Sequence, residues 1–355
     1  MPSEPVAIRG AGPAGCALAL LLRAQGTPLA LLGERPKARA AFRPIALSHA
    51  SRLILERVGA WTALAASPIR SVHVSQQGAF GRTRMSAADA GVPALGYVAD
   101  YADLHAALLD RVDAAGIALR DGQDAAAHAP LVVHAEGTEQ AIEARNYGQD
   151  AVVALVSAIP AAGDTAWERF TPGGPLALLP FGARYSLVWG MPPERAKERC
   201  ALPPADFLAD LQRAFGARAG ELTAVEARSR VPLALRVRRS RVGERAAYIG
   251  NAAQTLHPVA GQGLNLALRD AWDLAQALQG AADPGAAQVL GRFNSARRLD
   301  AAATVRVTDF LATGFLGGNP AGAMIRGIGL TALDICLPAR RFFARRMIFG
   351  ASALP

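Results

Sequence analysis

The 355-residue sequence predicts an α/β protein: a Rossmann-like nucleotide-binding domain with an inserted antiparallel sheet and a carboxy-terminal helical segment. Three observations predict it. The apolar "VAI" near the amino terminus runs into a glycine-rich turn and then a helical pattern. A second strand–glycine turn–helix pattern lies far along the chain, in "YIGNAAQTLHPVAGQGLNLALRDAWDL" (248–274). Between the two, "SVHVSQQGAFGRTRM" and "GPLALLPFGARYSLVWG" alternate with the period of strands.

The first pattern reads as strand, tight turn, helix, strand. Gly10, Ala11, Gly12, Pro13, Ala14 and Gly15 fit GxGxxG. The first glycine allows the sharp turn, the second lets a pyrophosphate approach the backbone, and the third lets the helix pack closely on the strand. Pro13 suits a first helical turn, where a missing N–H costs nothing, and the helix start presents free N–H groups to phosphate. Gly26 closes the helix and "PLALLG" supplies the next strand. Glu34, with Arg35 after it, stands at the end of that strand, about 20 residues past the glycines, where a dinucleotide fold places its ribose-binding acid. An acid there repels a 2′-phosphate, so FAD or NAD is expected and NADP is not.

In the second pattern, "ERAAYIG" is a strand that Gly250 and Asn251 end. Pro258 stiffens the loop, while Gly261 and Gly263, on either side of Gln262, let the backbone come close to a flat ligand. From Leu264 and Asn265 onward the spacing is helical up to Gly280, so the first-turn N–H groups sit at the positive end of a helix.

Composition narrows the class. The chain is 51% hydrophobic and 19% charged, which reads as globular. Cys16, Cys200 and Cys336 are scattered, so neither a disulfide framework nor a zinc spacing follows, and no metal is expected. The net charge of +9 is almost all arginine, Lys37 and Lys197 being the only lysines. These arginines are dispersed except near the end and form no aromatic-interleaved groove, so nucleic acid is not an expected partner. The stretch "MPSEPVAIRG" has neither the charged n-region nor the cleavage site of a signal peptide, so none is expected, and the apolar runs are too short to span a bilayer. The expected setting is the cytoplasm. The tail "LPARRFFARRMIFG" alternates arginine pairs with apolar residues, which suits an anionic membrane surface and equally suits docking on the protein's own core or on a partner in a biosynthetic complex.

With these motifs stand collinear stretches, "ALSHASRLILERVGAW" (46–61), "VHVSQQG" (72–78), "ERFTPGGPLALLPFGARYSLVW" (168–189) and "LPARRFFARR" (337–346). Together they resemble the para-hydroxybenzoate-hydroxylase-like FAD monooxygenases, within them the ubiquinone-biosynthesis hydroxylases, over nearly the whole chain. The resemblance implies an FAD-binding domain assembled from residues 1–70, 95–150 and 241–300. It also implies a substrate domain from 71–94 and 151–240, and a helical segment over 301–355. Glu34 would bind the adenosine ribose, Arg43 would approach the pyrophosphate, Asn251 the ribityl chain, and the loop 258–265 the flavin ring. An antiparallel sheet would cover the flavin, with Leu178, Pro180 and Trp189 as candidates for the substrate wall; core packing is the plainer reading of those three.

Asn251 and Gln254, where most of the wider family has an Asp and a His, match the motif of the subgroup. The sequence departs from the family at Glu136-Gly137, where an Asp-Gly usually ends the middle strand, and at Asp100-Tyr101, where relatives place a polar or basic flavin contact. The stretch from Gly116 to Glu136 is also short for the family. The implied reaction is hydroxylation of an electron-rich, prenylated phenol with O2 and a transient NAD(P)H donor. A soluble aromatic substrate or a non-catalytic subunit are the other readings. No side chain declares itself as general base. His257 has a suitable pKa range, but a loop-orienting histidine is its plainer reading, and His49 and Tyr185 are weaker candidates.

Overall fold

Buried apolar segments at the two ends of the chain meet in one core. The computed structural model describes residues 4–39, 41–120, 128–137, 143–255, 262–314 and 320–350. Strand β1 (Val6–Arg9) leads into helix α1 (Pro13–Ala24), and β2 (Leu29–Leu32) returns parallel to β1. Residues Pro13 to Leu22 of α1 are all buried, as a helix that is apolar all round must be. Next come β3 (Pro44–Ser48), α2 (His49–Arg57), β4 (Ser67–Ile69), β5 (Ser71–Gln76) and β6 (Arg82–Ser86). Helix α2 is capped by the Ser48 hydroxyl, which accepts from Ser51 N. Then follow α3 (Ala87–Ala90), β7 (Gly96–Asp100), α4 (Tyr101–Ala114), β8 (Leu119–Arg120) and β9 (Val132–His134).

The middle of the chain is mostly strand: β10 (Glu143–Ile159), β11 (Thr165–Thr171), β12 (Gly174–Phe181) and β13 (Arg184–Met191). Helices α5 (Pro193–Ala201) and α6 (Pro204–Phe215) precede the long β14 (Glu221–Val237). Strands β15 (Val242–Gly243), β16 (Ala246–Tyr248) and β17 (Gln254–Thr255) lead to α7 (Gln262–Leu278). Helices α8 (Ala287–Gly314), α9 (Pro320–Ile335) and α10 (Leu337–Phe349) close the described chain.

Six strands form a mainly parallel sheet in the order β15-β16-β9-β1-β2-β8. Its core includes Ile8, Leu18, Leu22, Leu31, Leu268 and Phe293, so α1 and α7 share one apolar interior. Eight strands form the second sheet, β17-β14-β10-β13-β12-β11-β5-β6, and β3-β7-β4 make a small third one. The expected antiparallel pairing of the large sheet holds except between β5 and β11, which run parallel. Strand β10 begins at Glu143, ahead of the expected boundary at 151, and β17 joins this sheet from within the 241–300 segment.

The two faces of the large sheet do different things. One packs on α6 through Phe207, Leu211 and Phe215, against Leu178, Leu187 and Trp189. Burying each such large apolar side chain contributes roughly 1.5–3 kcal/mol. Helix α9 lies close to the β5–β6 turn: a Cβ on Gly81 would stand 2.4 Å from Gly327 Cα, so only glycines allow that approach.

A buried ionic cluster ties α7 to α8 and to the turn before α7. The Asp270 carboxylate accepts from Arg241 Nη1 (3.0 Å), Arg297 Nε (2.7 Å), Gln254 Nε2 (2.9 Å) and Gly250 N (3.2 Å). Arg297 also pairs with Asp273 and Asp300, and Arg269 Nε donates to Asp300 at 2.9 Å. Burial alone pushes the Asp270 carboxyl up, but Arg241 and Arg297 outweigh it and hold it below the ordinary carboxylate value. A carboxylate so depressed gives its full stabilisation above its unfolded pKa of about 4 and loses it as pH falls through the lower folded value. Replacing Arg297 by Met removes the partner that Asp270, Asp273 and Asp300 share and leaves only Arg241 and Arg269 to balance three carboxylates, which should cost about 3–5 kcal/mol in urea unfolding. A loss below ~1 kcal/mol would mean that the cluster is not a structural anchor.

Candidate functional site

The two glycine motifs meet at the starts of α1 and α7. A Cβ on Gly250 would lie 3.2 Å from Ala14 Cβ and 3.3 Å from Ala267 Cβ, which places the turn before α7 against the first turn of α1. The glycines of the first motif then divide by environment. A Cβ on Gly10 would stand 2.6 Å from Glu136 N, and one on Gly15 would stand 1.9 Å from Gly10 O, so both are required by the protein's own packing. A Cβ on Gly12 would meet nothing within 4 Å, and neither would one on Gly263 at the start of α7. These open positions, one at each helix start, are cradles free to take a diphosphate and a flat ring.

Neighbouring groups complete the nucleotide side. Ala11 O accepts from Cys16 Sγ (3.1 Å) and lies 2.7 Å from His105 Nε2, which fixes the turn. Burial pushes the Cys16 thiol up to about 12, so it stays neutral. Glu34 is exposed beyond the end of β2, and the exposed Arg35 pairs with Asp113. Glu136 sits beside the Gly10 turn with Oε1 3.0 Å from His134 Nδ1, while its Oε2 is buried without a partner. An orphaned acceptor at a nucleotide turn suits a hydroxyl donor from the cofactor. The shortened middle segment therefore still delivers its acidic residue to the site.

The ring side opens on a cavity of about 640 Å³, in the size range of small-molecule sites. Its floor is Arg43 to Ser48 and Gln262 to Asn265; its ceiling is the second face of the large sheet; α9 and α10 close its side. Arg43 stacks over the Tyr101 ring at 5.0 Å. Asp100 caps α4 by accepting from Ala102 N and also accepts from Arg39, so it and Tyr101 brace the loop that carries Arg43. Asn265 turns its side chain inward: Oδ1 accepts from Ser48 N and Ser51 Oγ, both 2.7 Å, and Nδ2 donates to Ala46 O (2.8 Å). Its amide thus clamps α7 to β3, leaving the helix start itself to face the cavity. Asn251 is exposed in the turn that Gly250 begins. His257, Pro258 and Gly261 lie outside the described residues.

The three candidate wall residues lie off the cavity, Leu178 and Trp189 in the core-packing role that was their plainer reading. Leu178 and Trp189 point to the α6 face of the large sheet, where Arg199 stacks on Trp189 at 4.1 Å, and Pro180 does not line the cavity. Strand periodicity explains this, since Ala177, Leu179 and Val188 take the other face and form the wall. Tyr185 is buried in the same α6-side core and cannot serve as the base. His49 packs between Tyr97 and Phe349 rather than on the cavity; burial, helped by Arg52, lowers its pKa. Sequence reasoning missed Glu168, a half-buried carboxylate on the ceiling, and the structural role of Gln254, whose amide links Asp270 to Arg241.

Known proteins fit this arrangement. Residues 110–308 match a family described as an FAD binding domain. The chain is 32% identical to the ubiquinone hydroxylase UbiL of Rhodospirillum rubrum, over 96% of this chain and 88% of that one. It is 30% identical to the 3-demethoxyubiquinol 3-hydroxylase of Escherichia coli, over 94% and 95%. Among solved structures, p-nitrophenol 4-monooxygenase of Pseudomonas putida superposes with a TM-score of 0.78 at 16% identity, covering 99% of both chains. The HpxO protein of Klebsiella pneumoniae, crystallised with FAD and uric acid, gives 0.74 at 18%, covering 98% and 97%. Two helix starts with open glycine positions, an acidic middle strand end and an apolar chamber thus coincide with relatedness along the whole chain, which belongs to the para-hydroxybenzoate-hydroxylase-like FAD monooxygenases, in their ubiquinone-hydroxylase subgroup.

Proposed function

We propose that the protein hydroxylates the aromatic ring of a prenylated phenol in ubiquinone biosynthesis, with FAD as cofactor, NAD(P)H as transient donor and O2 as co-substrate. The observation that carries this reading is the chamber. Its apolar walls run from the helix start at Gly263 to Ile325, which is 70% exposed at the rim. A phenol head would lie inside while an isoprenoid tail extends along α9 and out. The ubiquinone hydroxylases among its relatives act on such molecules by name.

Bound FAD supplies the redox chemistry and the activation of oxygen. The chain supplies the rest. The N–H groups at the start of α1 would hold the diphosphate beside Gly12, and Glu34 would accept from the adenosine ribose. The start of α7, from Gln262 to Asn265, would place positive helix-end potential against the ring edge that becomes negative on reduction. Arg43 would face the same cofactor from β3's leading loop. Asn251 would bond the ribityl chain, and Pro258 and Gly261 would complete the ring's surroundings. Ala177, Leu179 and Val188 exclude water above it.

We also infer that α9 and α10 rest on a membrane. Among the described residues no single helix is long and apolar enough to cross one. Instead α9 and α10 bend by 98° and leave Ile335 and Phe342 at 79% and 72% exposure, with Arg341 and Arg345 exposed beside them. Apolar side chains flanked by arginines match the boundary of an anionic bilayer. Phe343, Ala344 and Ile348 of α10 pack inward on Met85 and Ala90, so the helix docks on the protein while its outer side faces lipid.

Gly12→Val should fold normally, because nothing lies within 4 Å of the added Cβ, yet weaken FAD retention by about 100-fold or more. Unchanged flavin absorbance after gel filtration would show that the diphosphate does not lie there. Deleting the gene should lower ubiquinone and accumulate a prenylated phenol lacking one hydroxyl; an unaltered quinone profile removes the pathway from this reading. The double variant Ile335→Asp, Phe342→Asp should float at least about tenfold less with vesicles containing anionic phospholipid. Equal flotation would mean that this face is not the membrane contact.

A further inference from the structure

We propose that Glu168 is the catalytic group that accepts the proton of the substrate's phenol hydroxyl, a role resting on the reading of the chamber as a phenol site. Its placement follows from strand register. Glu168 on β11 sits opposite Val74 of β5 and opposite Ala177 of β12, and Ala177 in turn faces Val188 of β13. Side chains paired across neighbouring strands share a face, and all four line the cavity. One carboxylate therefore projects from an otherwise apolar rung into the space where the aromatic ring must lie.

Nothing in the described protein occupies that carboxylate. No hydrogen bond or ion pair involves the Glu168 carboxylate among the described residues. The other charged residues lining the cavity are Arg43, stacked on Tyr101 from the floor, and Arg326 of α9, whose Nε donates to Gln76 Oε1 at 3.1 Å. On the opposite face of β5 and β11, His73 stacks near Trp167 with Arg218 beside it, separated from Glu168 by the sheet itself. A carboxylate left without a donor in an apolar chamber costs free energy, and that cost is offset when a ligand brings the donor. A phenol hydroxyl is such a donor.

The step balances within the pair. The phenol O–H bond breaks, a carboxyl O–H bond forms on Glu168, and the electron pair left on the phenol oxygen delocalises into the ring. The ortho and para carbons become more electron-rich, which electrophilic oxygen insertion requires. Burial pushes the Glu168 carboxyl up to about 7. A phenol titrates near 10, so the remaining gap is about three units rather than the roughly six of an ordinary glutamate. The acid is thus matched to its task without being protonated throughout the physiological range.

The test uses the FAD-loaded full-length protein and a short-chain prenylated 2-methoxyphenol. In the wild type, kcat/KM for this phenol should rise with pH through about 7, and Glu168→Gln should remove that limb and lower kcat/KM by about 100-fold or more. Glu168→Asp should restore part of the rate together with a limb. Binding gives a readout independent of turnover. Above pH 7 the wild type should prefer the phenol over its O-methyl ether by about tenfold, and Glu168→Gln should lose that preference. Stability gives another: a carboxyl whose pKa is raised on folding is destabilising above its unfolded value. Glu168→Gln should therefore gain Tm relative to wild type as pH rises from 4.5 to about 7. The assignment is overturned if Glu168→Gln keeps both the limb and the phenol preference, or slows turnover with the limb in place. A wild type that binds phenol with the predicted preference but hydroxylates nothing would instead remove the hydroxylase reading and leave Glu168 as the phenol acceptor.

Discussion

Everything at the site depends on one buried carboxylate. Asp270 faces four donors from three different parts of the chain: Arg241 before the last parallel strand, Gly250 and Gln254 in the turn, and Arg297 on α8. A lone charge so buried would be prohibitive, and the ring of donors makes it tolerable only in one geometry. That geometry sets the turn at Gly250 against Ala14, and with it the start of α7 against the start of α1. The anchor extends further, since a Cβ on Gly350 would lie 2.2 Å from Asp300 Oδ1, bringing the end of α10 onto the same cluster.

Around this anchor, glycines serve two opposite purposes. Gly10 and Gly15 are closed in by the protein's own backbone, while Gly12 and Gly263 look onto open space. The first pair lets strand, helix and the Glu136 turn pack at van der Waals distance. The second pair leaves room for a ligand at the positive ends of two helices. A similar economy governs the large sheet, whose two faces are separate interiors. Trp189 and Phe207 fill one, and the chamber occupies the other. Helix α9 closes the chamber because Gly81 and Gly327 let it press onto the β5–β6 turn.

The exposed apolar surface of α9 and the chamber are continuous. Ile325 belongs both to the exposed apolar surface and to the cavity wall. A hydrophobic tail can therefore stay in an apolar medium while its head enters the protein, which avoids the cost of exposing the tail to water. Inside, the same dry surroundings that protect reactive chemistry also raise the proton affinity of Glu168. Substrate access, water exclusion and acid strength thus follow from the same apolar lining.

The sequence by itself determined the strand–turn–helix units at both ends, because glycine spacing, a helix-starting proline and apolar runs are local signals that packing does not override. It also supplied the alternation of the middle strands, but alternation names two faces without saying which covers the flavin. For that reason Leu178 and Trp189 admit both a wall and a core reading in sequence, the structure gives them the core one, and Ala177 and Glu168 carry no local signal of the cavity face. Asp270, Asp273 and Arg297 look in sequence like the solvated side of amphipathic helices; only the docking of α7, α8 and the Gly250 turn buries them. Asn265 was expected at the ring through its place in the first turn of α7; the structure adds that its side-chain amide holds β3. Local propensity is written residue by residue, whereas the partner of a buried charge and the face of a strand depend on distant segments, and those are decided only when the chain is packed.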